Sequence, residues 1–460
     1  MITDLKPYPE YKESGSSWLG KVASHWEVRN LRTLIRPRNE RCRVDLPLLS
    51  VAREKGVFVR SLTDADENHN VIPEDLSNYK VARAGNLVIN KMKAWQGSMG
   101  IAPCDGIVSP AYFVFDFGIS NRAFGQALLR SKPYVAHFGQ ASDGVRVGQW
   151  DLTISGMRQI PVLVPPPTEQ AAIVGFLDWA NGRLERAIRA KRKVITLLNE
   201  QKQAIIHRAV TRGLDPSVPL KPSGIPWLGD IPGHWEVQKL KQLTRFVNGL
   251  PFKPGDWKAE GVPIIRIQNL NGSDGFNYTN RNDLPEGLLI HTGDLMFAWS
   301  GNRGTSFGSF EWTREFAGYL NQHIFKLVGF TLPKRYFYYV LRAVTRHVEE
   351  QAGGIIGLVH VTKPELGSVQ VPIAPSTEAQ AIARHIDSET GAINTAISRL
   401  EREIELLREY RTRLVADVVT GKLDVREAAT RLPEEAAPDT AEDDIDLRDE
   451  TETTDEEIAV

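Results

Sequence analysis

Two equivalent stretches of this 460-residue sequence combine cations with hydrogen-bonding side chains, as nucleic-acid recognition requires. They are GNLVINKMKAWQGSMG, residues 85–100, and GDLMFAWSGNRGTSFG, residues 293–308. Lysine and arginine neutralise phosphates, whereas amide, hydroxyl and guanidinium groups can bond to base edges. The alternative interpretation is that these are ordinary solvated loops. With further donors from IIRIQNL and DGVRVGQ, the predicted DNA contacts are Lys91, Lys93, Trp95, Gln96, Ser98, Arg146, Arg266, Gln268, Asn269, Asn302, Arg303, Thr305 and Ser306.

The sequence contains no recognisable catalytic signature. It has no Gly-x-x-x-x-Gly-Lys-[Ser/Thr] phosphate loop, no Gly-x-Ser-x-Gly nucleophile elbow and no Asn-Pro-Pro-Tyr type motif of amino-methyltransferases. The ten histidines lack metal-ligand spacing, and we interpret His25 and His234, each followed by tryptophan, as structural. These absences disfavour a self-sufficient methyltransferase or nuclease. We predict that the chain itself has no catalytic residues and binds no metal and no cofactor.

The net charge of −1 conceals a strong division of charge along the chain. Residues 428–460 contain 13 acidic residues against two arginines, a balance of −11, which leaves +10 on residues 1–427. A basic body with an acidic tail is compatible with nucleic-acid binding. It is equally compatible with a solvated surface and a floppy terminus. Because the tail has almost no aromatic or branched apolar residues, we expect it to be disordered.

Cysteine usage and hydropathy indicate the compartment. Cys42 and Cys104 lie far apart without metal-ligand spacing, so the sequence supports neither a disulfide framework nor a zinc site. We therefore expect a reducing, cytoplasmic location. The N-terminus has no apolar segment like that of a signal peptide, and no apolar run approaches the roughly 20 residues that span a bilayer.

A tandem repeat positions the two polar stretches. SGSSWLGKVASHWEV, residues 14–28, returns as SGIPWLGDIPGHWEV, residues 223–237, with 9 of 15 positions identical and an offset of 209. The same offset relates PPPTEQAAIVGFLD to APSTEAQAIARHID, and TRGLD to TGKLD. The interiors agree poorly, which predicts one α/β scaffold carrying different loops. The tryptophans of the doubled phrase are predicted packing anchors: Trp18, Trp26, Trp227 and Trp235.

Each repeat ends in a predicted long helix. Thr168 is the expected N-cap of the first helix, and Thr377 with Gln380 forms an expected capping box in the second. Apolar residues then recur at heptad spacing, which predicts antiparallel pairing of the two helices. The alternative is two separate helices, each packed on its own domain. The predicted seam comprises Leu184, Ile188, Ile195, Leu198, Ile205, Ile393, Ile397, Leu400, Ile404, Leu407, Leu414 and Val418.

The predicted fold class is α+β. Two globular α/β domains are joined by two long antiparallel coiled-coil helices with pseudo-two-fold symmetry. The expected divisions are a lead-in segment (1–25), a first recognition domain (26–165), a first spacer helix (166–213), a linker repeating the lead-in segment (214–234), a second recognition domain (235–374), a second spacer helix (375–427) and an acidic tail (428–460).

From about residue 8 to residue 427, the chain resembles the specificity subunit of Type I restriction-modification systems. The resemblance rests on YKESGSSWLGKVASHWEV and KPSGIPWLGDIPGHWEV, on the Gly-Asp-Leu type loop segments, and on the helix starts PPPTEQAAI and PSTEAQAI. The second helix start departs slightly, because Ala379 separates Glu378 from Gln380 where Glu169 and Gln170 are adjacent.

The resemblance implies a non-catalytic subunit with two target recognition domains, each of which reads half of a bipartite DNA site. It further implies two adenine-N6 methyltransferase subunits that bind S-adenosylmethionine, and a restriction subunit that uses ATP and Mg²⁺. The competing interpretation is a coiled-coil adaptor whose two domains bind proteins and have no DNA specificity.

Overall fold

The strands and helices were located in a computed structural model that describes residues 5–60, 75–144, 150–352 and 357–433. Two packing units are present. The first combines residues 1–188 with residues 405–460, and the second comprises residues 189–404. No helix in the described ranges combines the length and apolarity needed to cross a membrane.

The first unit is built mainly from short antiparallel strands. Its four-stranded sheet has the order β4-β11-β8-β9. Three short helices pack on the apolar face of this sheet. The strands are β1 Tyr11–Glu13, β2 Lys21–Ala23, β3 Glu27–Asn30, β4 Ile35–Arg38, β5 Leu49–Ala52, β6 Gly56–Val59, β7 Lys80–Ala82, β8 Leu87–Asn90, β9 Met99–Ile101, β10 Gly106–Val108, β11 Tyr112–Phe117, β12 Ser142–Asp143, β13 Asp151–Leu152 and β14 Pro161–Val164. The helices are α1 Arg122–Leu129, α2 Lys132–Gln140, α3 Ile154–Arg158 and the start of α4 Pro167–Arg212.

The second unit repeats this framework. Its sheet β18-β26-β22-β24 has the same strand order, and a further sheet, β20-β19-β25-β21, lies beside it. The strands are β15 Leu220–Pro222, β16 Asp230–Pro232, β17 Glu236–Lys239, β18 Arg245–Asn248, β19 Val262–Ile265, β20 Asn277–Thr279, β21 Leu289–Ile290, β22 Leu295–Ala298, β23 Ser300–Asn302, β24 Gly308–Glu311, β25 Gly318–Leu320, β26 Ile324–Val328, β27 Leu358–His360 and β28 Gln370–Ile373. The helices are α5 Leu240–Leu243, α6 Ile267–Leu270, α7 Lys334–Gln351, α8 Lys363–Ser368 and α9 Ser376–Val419, which is followed in the first unit by α10 Arg426–Thr430.

The internal repeat extends to individual strands. The first three strands of each unit, β1 to β3 and β15 to β17, are related by the offset of 209 found in the sequence. In both units the third strand pairs antiparallel with the strand that leads into a long helix, β3 with β14 and β17 with β28. The prediction of a duplicated α/β scaffold is therefore confirmed.

Both long helices begin two residues earlier than an N-cap at their threonines predicts. The carbonyl of Pro166 accepts the backbone N–H of Gln170 at 3.0 Å, so α4 begins at Pro167, and Thr168 lies inside its first turn. Similarly, α9 begins at Ser376, after Pro375. The predicted N-cap and capping box are therefore wrong. Proline is favoured in a first helical turn because its φ is already helical and no N–H partner is needed there.

The two long helices pair in antiparallel fashion in the part of each that belongs to the second unit. Lys191 Nζ lies 2.5 Å from Glu403 Oε2, and Lys202 Nζ donates to Asn394 Oδ1 at 2.6 Å. Residue numbers therefore rise on α4 as they fall on α9. In the first unit, Arg411 and Glu185 form an equivalent ion pair. The prediction of paired helices is confirmed, and the alternative of separate helices is wrong.

All twelve residues of the predicted seam are shielded from solvent to some degree. The buried ones are Leu184, Ile188, Ile393, Ile404, Leu414 and Val418. The partly buried ones are Ile195, Leu198, Ile205, Ile397, Leu400 and Leu407. Burial varies along the pair. Ile206, which joins the core of the second unit, is more buried than its predicted neighbour Ile205.

The first residues of the predicted acidic tail belong to the folded first unit. Residues 426–430 form α10, and Ala428, Ala429 and Leu432 pack on the core of the first unit. The expectation of disorder from residue 428 is therefore wrong for these first residues, because their small and apolar side chains have a surface to cover. Residues 434–460 lie outside the described part of the chain.

Candidate functional site

A buried carboxylate joins the doubled phrase of the first unit to the start of α4. Glu169 is 4% exposed and accepts hydrogen bonds from Tyr8 Oη at 2.6 Å and from Trp26 Nε1 at 3.0 Å. His25 Nε2 lies 2.7 Å from its other oxygen. Burial and the bond to Glu169 together raise the pKa of Tyr8 well above its usual range. We call these four residues the first clamp.

The second unit has a matching but more open clamp. Glu378, in the first turn of α9, accepts from Trp235 Nε1 at 3.0 Å, and His234 Nε2 lies 2.8 Å from the same oxygen. The side chain of Glu378 is 27% exposed. Both carboxylates were missed as partners of the His-Trp pairs. The sequence did contain a signal for these contacts: Glu169 and Glu378 are separated by 209 residues, the same offset that separates the two phrases they contact.

A glycine at the end of the opposite long helix closes each clamp. Gly421, after α9, has φ +73°, and a Cβ there would lie 2.9 Å from the ring of Trp26. Gly213, after α4, has φ +70°, and a Cβ would lie 3.4 Å from the ring of Trp235. Glycine is required by the left-handed backbone and, at Gly421, by the close approach as well. Each fully buried tryptophan thus holds one helix start and one helix end.

The outer tryptophans of the two phrases are also used equivalently. Trp18 stacks on His137 of α2, with ring centroids 4.5 Å apart, and Trp227 stacks on His347 of α7 at 4.8 Å. Burial lowers the pKa of both histidines. Because α2 and α7 also contact the candidate loops, these stacks connect the doubled phrase to those loops.

The candidate loop of the first unit joins β8 to β9. Lys91 Nζ lies 3.0 Å from Asp151 Oδ2, and the ring of Trp95 meets that of Trp150 at 5.0 Å. Trp95 Nε1 also donates to the carbonyl of Met92 at 3.1 Å. The loop is thus tied to the segment that follows residue 149.

The remaining candidates of this unit differ in accessibility. Lys93 is exposed and Gln96 is partly buried. Ser98 is only 2% exposed, so the structure places it in the framework of the loop, where its hydroxyl faces no external ligand. Arg146 lies outside the described residues.

The equivalent loop of the second unit joins β22 to β24 and is anchored to the end of α7. Arg303 donates from Nη2 to the carbonyl of Ala352 at 2.7 Å, and Gly304 N donates to Glu349 Oε1 at 2.8 Å. Burial raises the pKa of Glu349. Asn302 and Thr305 are also exposed.

Two predicted contacts of the second unit are buried. Ser306 is 8% exposed, and its hydroxyl accepts the backbone N–H of Asn302 at 2.6 Å. Asn269 is 2% exposed and uses its amide within its own turn. The structure therefore places both residues as supports of their loops and not as external contacts, because their polar atoms form hydrogen bonds within the protein.

Backbone contacts connect the turn that carries Arg266 and Gln268 to the start of the loop that carries Arg303. Asn321 N donates to the carbonyl of Ile265 at 3.0 Å, and Trp299 Nε1 donates to the carbonyl of Gln322 at 3.0 Å. Residues 321–322 therefore lie between the strand end that precedes Arg266 and the start of the β22–β24 loop.

One aromatic residue on this surface was missed. Trp257 is 39% exposed and lies against Arg266. Among the described residues, no cluster of three His, Cys, Asp or Glu side chains is placed to hold a metal ion. The exposed side chains of both loops include charged groups and hydrogen-bonding groups.

Comparisons with known proteins point to one family. Residues 232–406 match the model of the Type I restriction modification DNA specificity domain. The chain is 26% identical over 198 residues to the EcoBI specificity subunit of a type I restriction enzyme from Escherichia coli, a match covering 42% of this chain and 40% of that one. It is 21% identical over 450 residues to the putative MjaX specificity subunit from Methanocaldococcus jannaschii, covering 90% of this chain and 98% of that one.

A solved structure supports the fold. It concerns the complex assembly and conformational transition of a type I restriction-modification system, and one of its chains is 14% identical with a TM-score of 0.57, covering 87% of this chain and 99% of that chain. The shared domain model, the full-length relative and the duplicated framework agree. Residues 232–406 thus match a Type I restriction modification DNA specificity domain, and the chain is similar over most of its length to a specificity subunit of this kind.

Proposed function

We propose that this chain is the DNA-recognition subunit of such a complex and that each unit reads one half of a bipartite site. The proposal rests chiefly on one observation: two units with the same sheet order present different polar loops at the same connection. A fixed framework with variable loops suits the recognition of two different base sequences.

The charge of the chain supports DNA as the ligand. Residues 1–427 carry +10 once the acidic tail is set aside. Exposed cations, such as Lys93 and Arg303, lie on the candidate loops. Such cations favour binding to phosphates whatever the sequence, and the neighbouring polar groups then supply the discrimination.

The first experiment is a titration of DNA binding against salt. We expect affinity to fall steeply as salt rises, because phosphate contacts release counterions, and cognate duplexes to outcompete random ones. Fluorescence anisotropy between about 50 and 200 mM salt covers the informative range. Binding that ignores salt and sequence, combined with tight binding of peptides, would favour the adaptor and contradict the proposal.

The paired helices serve as the ruler and platform in this proposal. Leu197 on α4 and Leu406 on α9 are related by the repeat offset, and both are exposed, at 55% and 48%. Two like surfaces, one in each unit, suit two copies of the same partner. We propose that these partners are adenine-N6 methyltransferase subunits that bind S-adenosylmethionine. A restriction subunit would add ATP and Mg²⁺ chemistry, and this chain would bind no cofactor itself.

Insertion of one heptad into each long helix tests the ruler. Seven residues add about 10 Å and nearly two complete turns, so the apolar seam keeps its phase. We expect the permitted spacer to lengthen by about three base pairs at about 3.4 Å each, or modification to be lost. Methylation assays on duplexes with graded spacers provide the measurement. An unchanged spacer preference in a fully active variant would reject the ruler.

A further inference from the structure

An exposed arginine–tryptophan pair lies on the candidate surface of the second unit. The guanidinium carbon of Arg266 lies 5.6 Å from the ring centroid of Trp257. Trp257 is 39% exposed, and Arg266 is partly exposed. An indole face orients a planar guanidinium and reduces its freedom without occupying its N–H donors.

The guanidinium of Arg266 has no acceptor of its own. Within the described ranges, no carboxylate or carbonyl oxygen lies in hydrogen-bond contact with it. Two other arginines of this unit are occupied: Arg281 by Asp283 at 2.8 Å, and Arg314 by Asp274 at 2.5 Å. The donors of Arg266 are therefore available to an external ligand.

The backbone that carries Arg266 is held firmly. It directly follows β19, whose last residues, Ile264 and Ile265, are fully buried. Its own N–H donates to Asn269 Oδ1 at 2.9 Å, and the amide of Asn269 is fixed by the carbonyls of Ser273 and Gly275. A rigid base and a stacked guanidinium together give a defined direction to the donors.

We propose that Arg266, supported by Trp257, reads a guanine in the half-site of the second unit. This inference rests on the proposed function. A guanidinium edge donates two parallel hydrogen bonds to O6 and N7 of guanine in the major groove, and no other base offers this pair of acceptors. Gln268 lies two residues further on, in the short helix α6, and in this proposal it contacts a neighbouring base.

Selection from a library of randomised duplexes tests the assignment. The full chain is purified with the subunits that accompany it in its host, and bound DNA is sequenced. We expect guanine enrichment at one position of one half-site. The substitution Arg266→Gln should reduce that enrichment by about ten- to a hundredfold and leave the other half-site unchanged. Arg266→Lys, which lacks the forked edge, and Trp257→Leu should weaken it at the same position.

The control is Arg281→Gln, which removes an arginine already occupied by Asp283 and should leave every preference unchanged. If the unmodified protein enriches no sequence, the proposed function itself fails. If it enriches a bipartite site but Arg266→Gln keeps all preferences, or weakens all positions equally as loss of a phosphate contact would, the guanine assignment is overturned and DNA recognition stands.

Discussion

The substitution Glu169→Ala should lower the free energy of unfolding of the first unit by about 2–5 kcal/mol, since each of two buried donors left without an acceptor costs about 1–3 kcal/mol. It removes a carboxylate that is 4% exposed and leaves the donors of Tyr8 and Trp26 buried without an acceptor. It also detaches the start of α4 from the lead-in segment. Urea unfolding of the full chain, with hydrogen exchange of residues 5–30 to localise the effect, measures the loss.

The matched control is Glu378→Ala in the second unit. Glu378 is 27% exposed and has two partners, without a counterpart of Tyr8. We expect a smaller loss of about 1–2 kcal/mol, because only one fully buried donor, Trp235 Nε1, loses its acceptor, whereas His234 is exposed to water. Equal losses in the two variants, or faster exchange spread evenly over both units, would show that the first clamp does not contribute more to stability than the second.

Replacement of residues 26–163 by the corresponding part of another specificity subunit should change one half of the recognised DNA sequence completely. The exchange is practicable because β3 pairs with β14, with Val28 opposite Leu163, so both junctions lie side by side. The clamp residues outside the exchanged part, Tyr8, His25 and Glu169, are retained. Sequencing of methylated DNA from a host carrying the hybrid identifies the new site.

Two features of the hybrid's site distinguish modular recognition from its alternatives. The half-site read by the unchanged second unit and the spacer should both persist, because neither the second unit nor the two long helices have been altered. A hybrid that methylates the original site would show that residues 26–163 do not determine sequence. A hybrid in which both halves change would show that the units do not read independently.

Much of the framework followed from the repeat. The offset of 209 predicted equivalent strands, and heptad spacing predicted the pairing of α4 with α9, because a repeat and an apolar period can both be recognised in the sequence itself. The helix starts were misjudged, because threonine beside proline fits both an N-cap and a first-turn position. The degree of burial along the seam was not predictable from residue type, since Ile188 is buried and Ile195 is only partly buried.

The candidate site was harder to predict from the sequence than the framework. Ser98, Asn269 and Ser306 are of residue types that commonly contact DNA, and only the fold shows that they are buried. An acid such as Glu169 is favoured in any first helical turn by the helix dipole, so its position alone did not reveal its contact with Trp26. Trp257 was missed because its contact with Arg266 depends on how the chain turns before β19.

Sequencing of methylated adenines in the genome of the host, with and without an intact copy of this chain, tests the central claim most directly. The proposal that each unit reads half of one site predicts a single bipartite motif, with two short defined halves around a spacer of fixed length, that disappears when the chain is removed. Methylation that is unchanged by removal of the chain would contradict it, and so would a single continuous motif without a spacer.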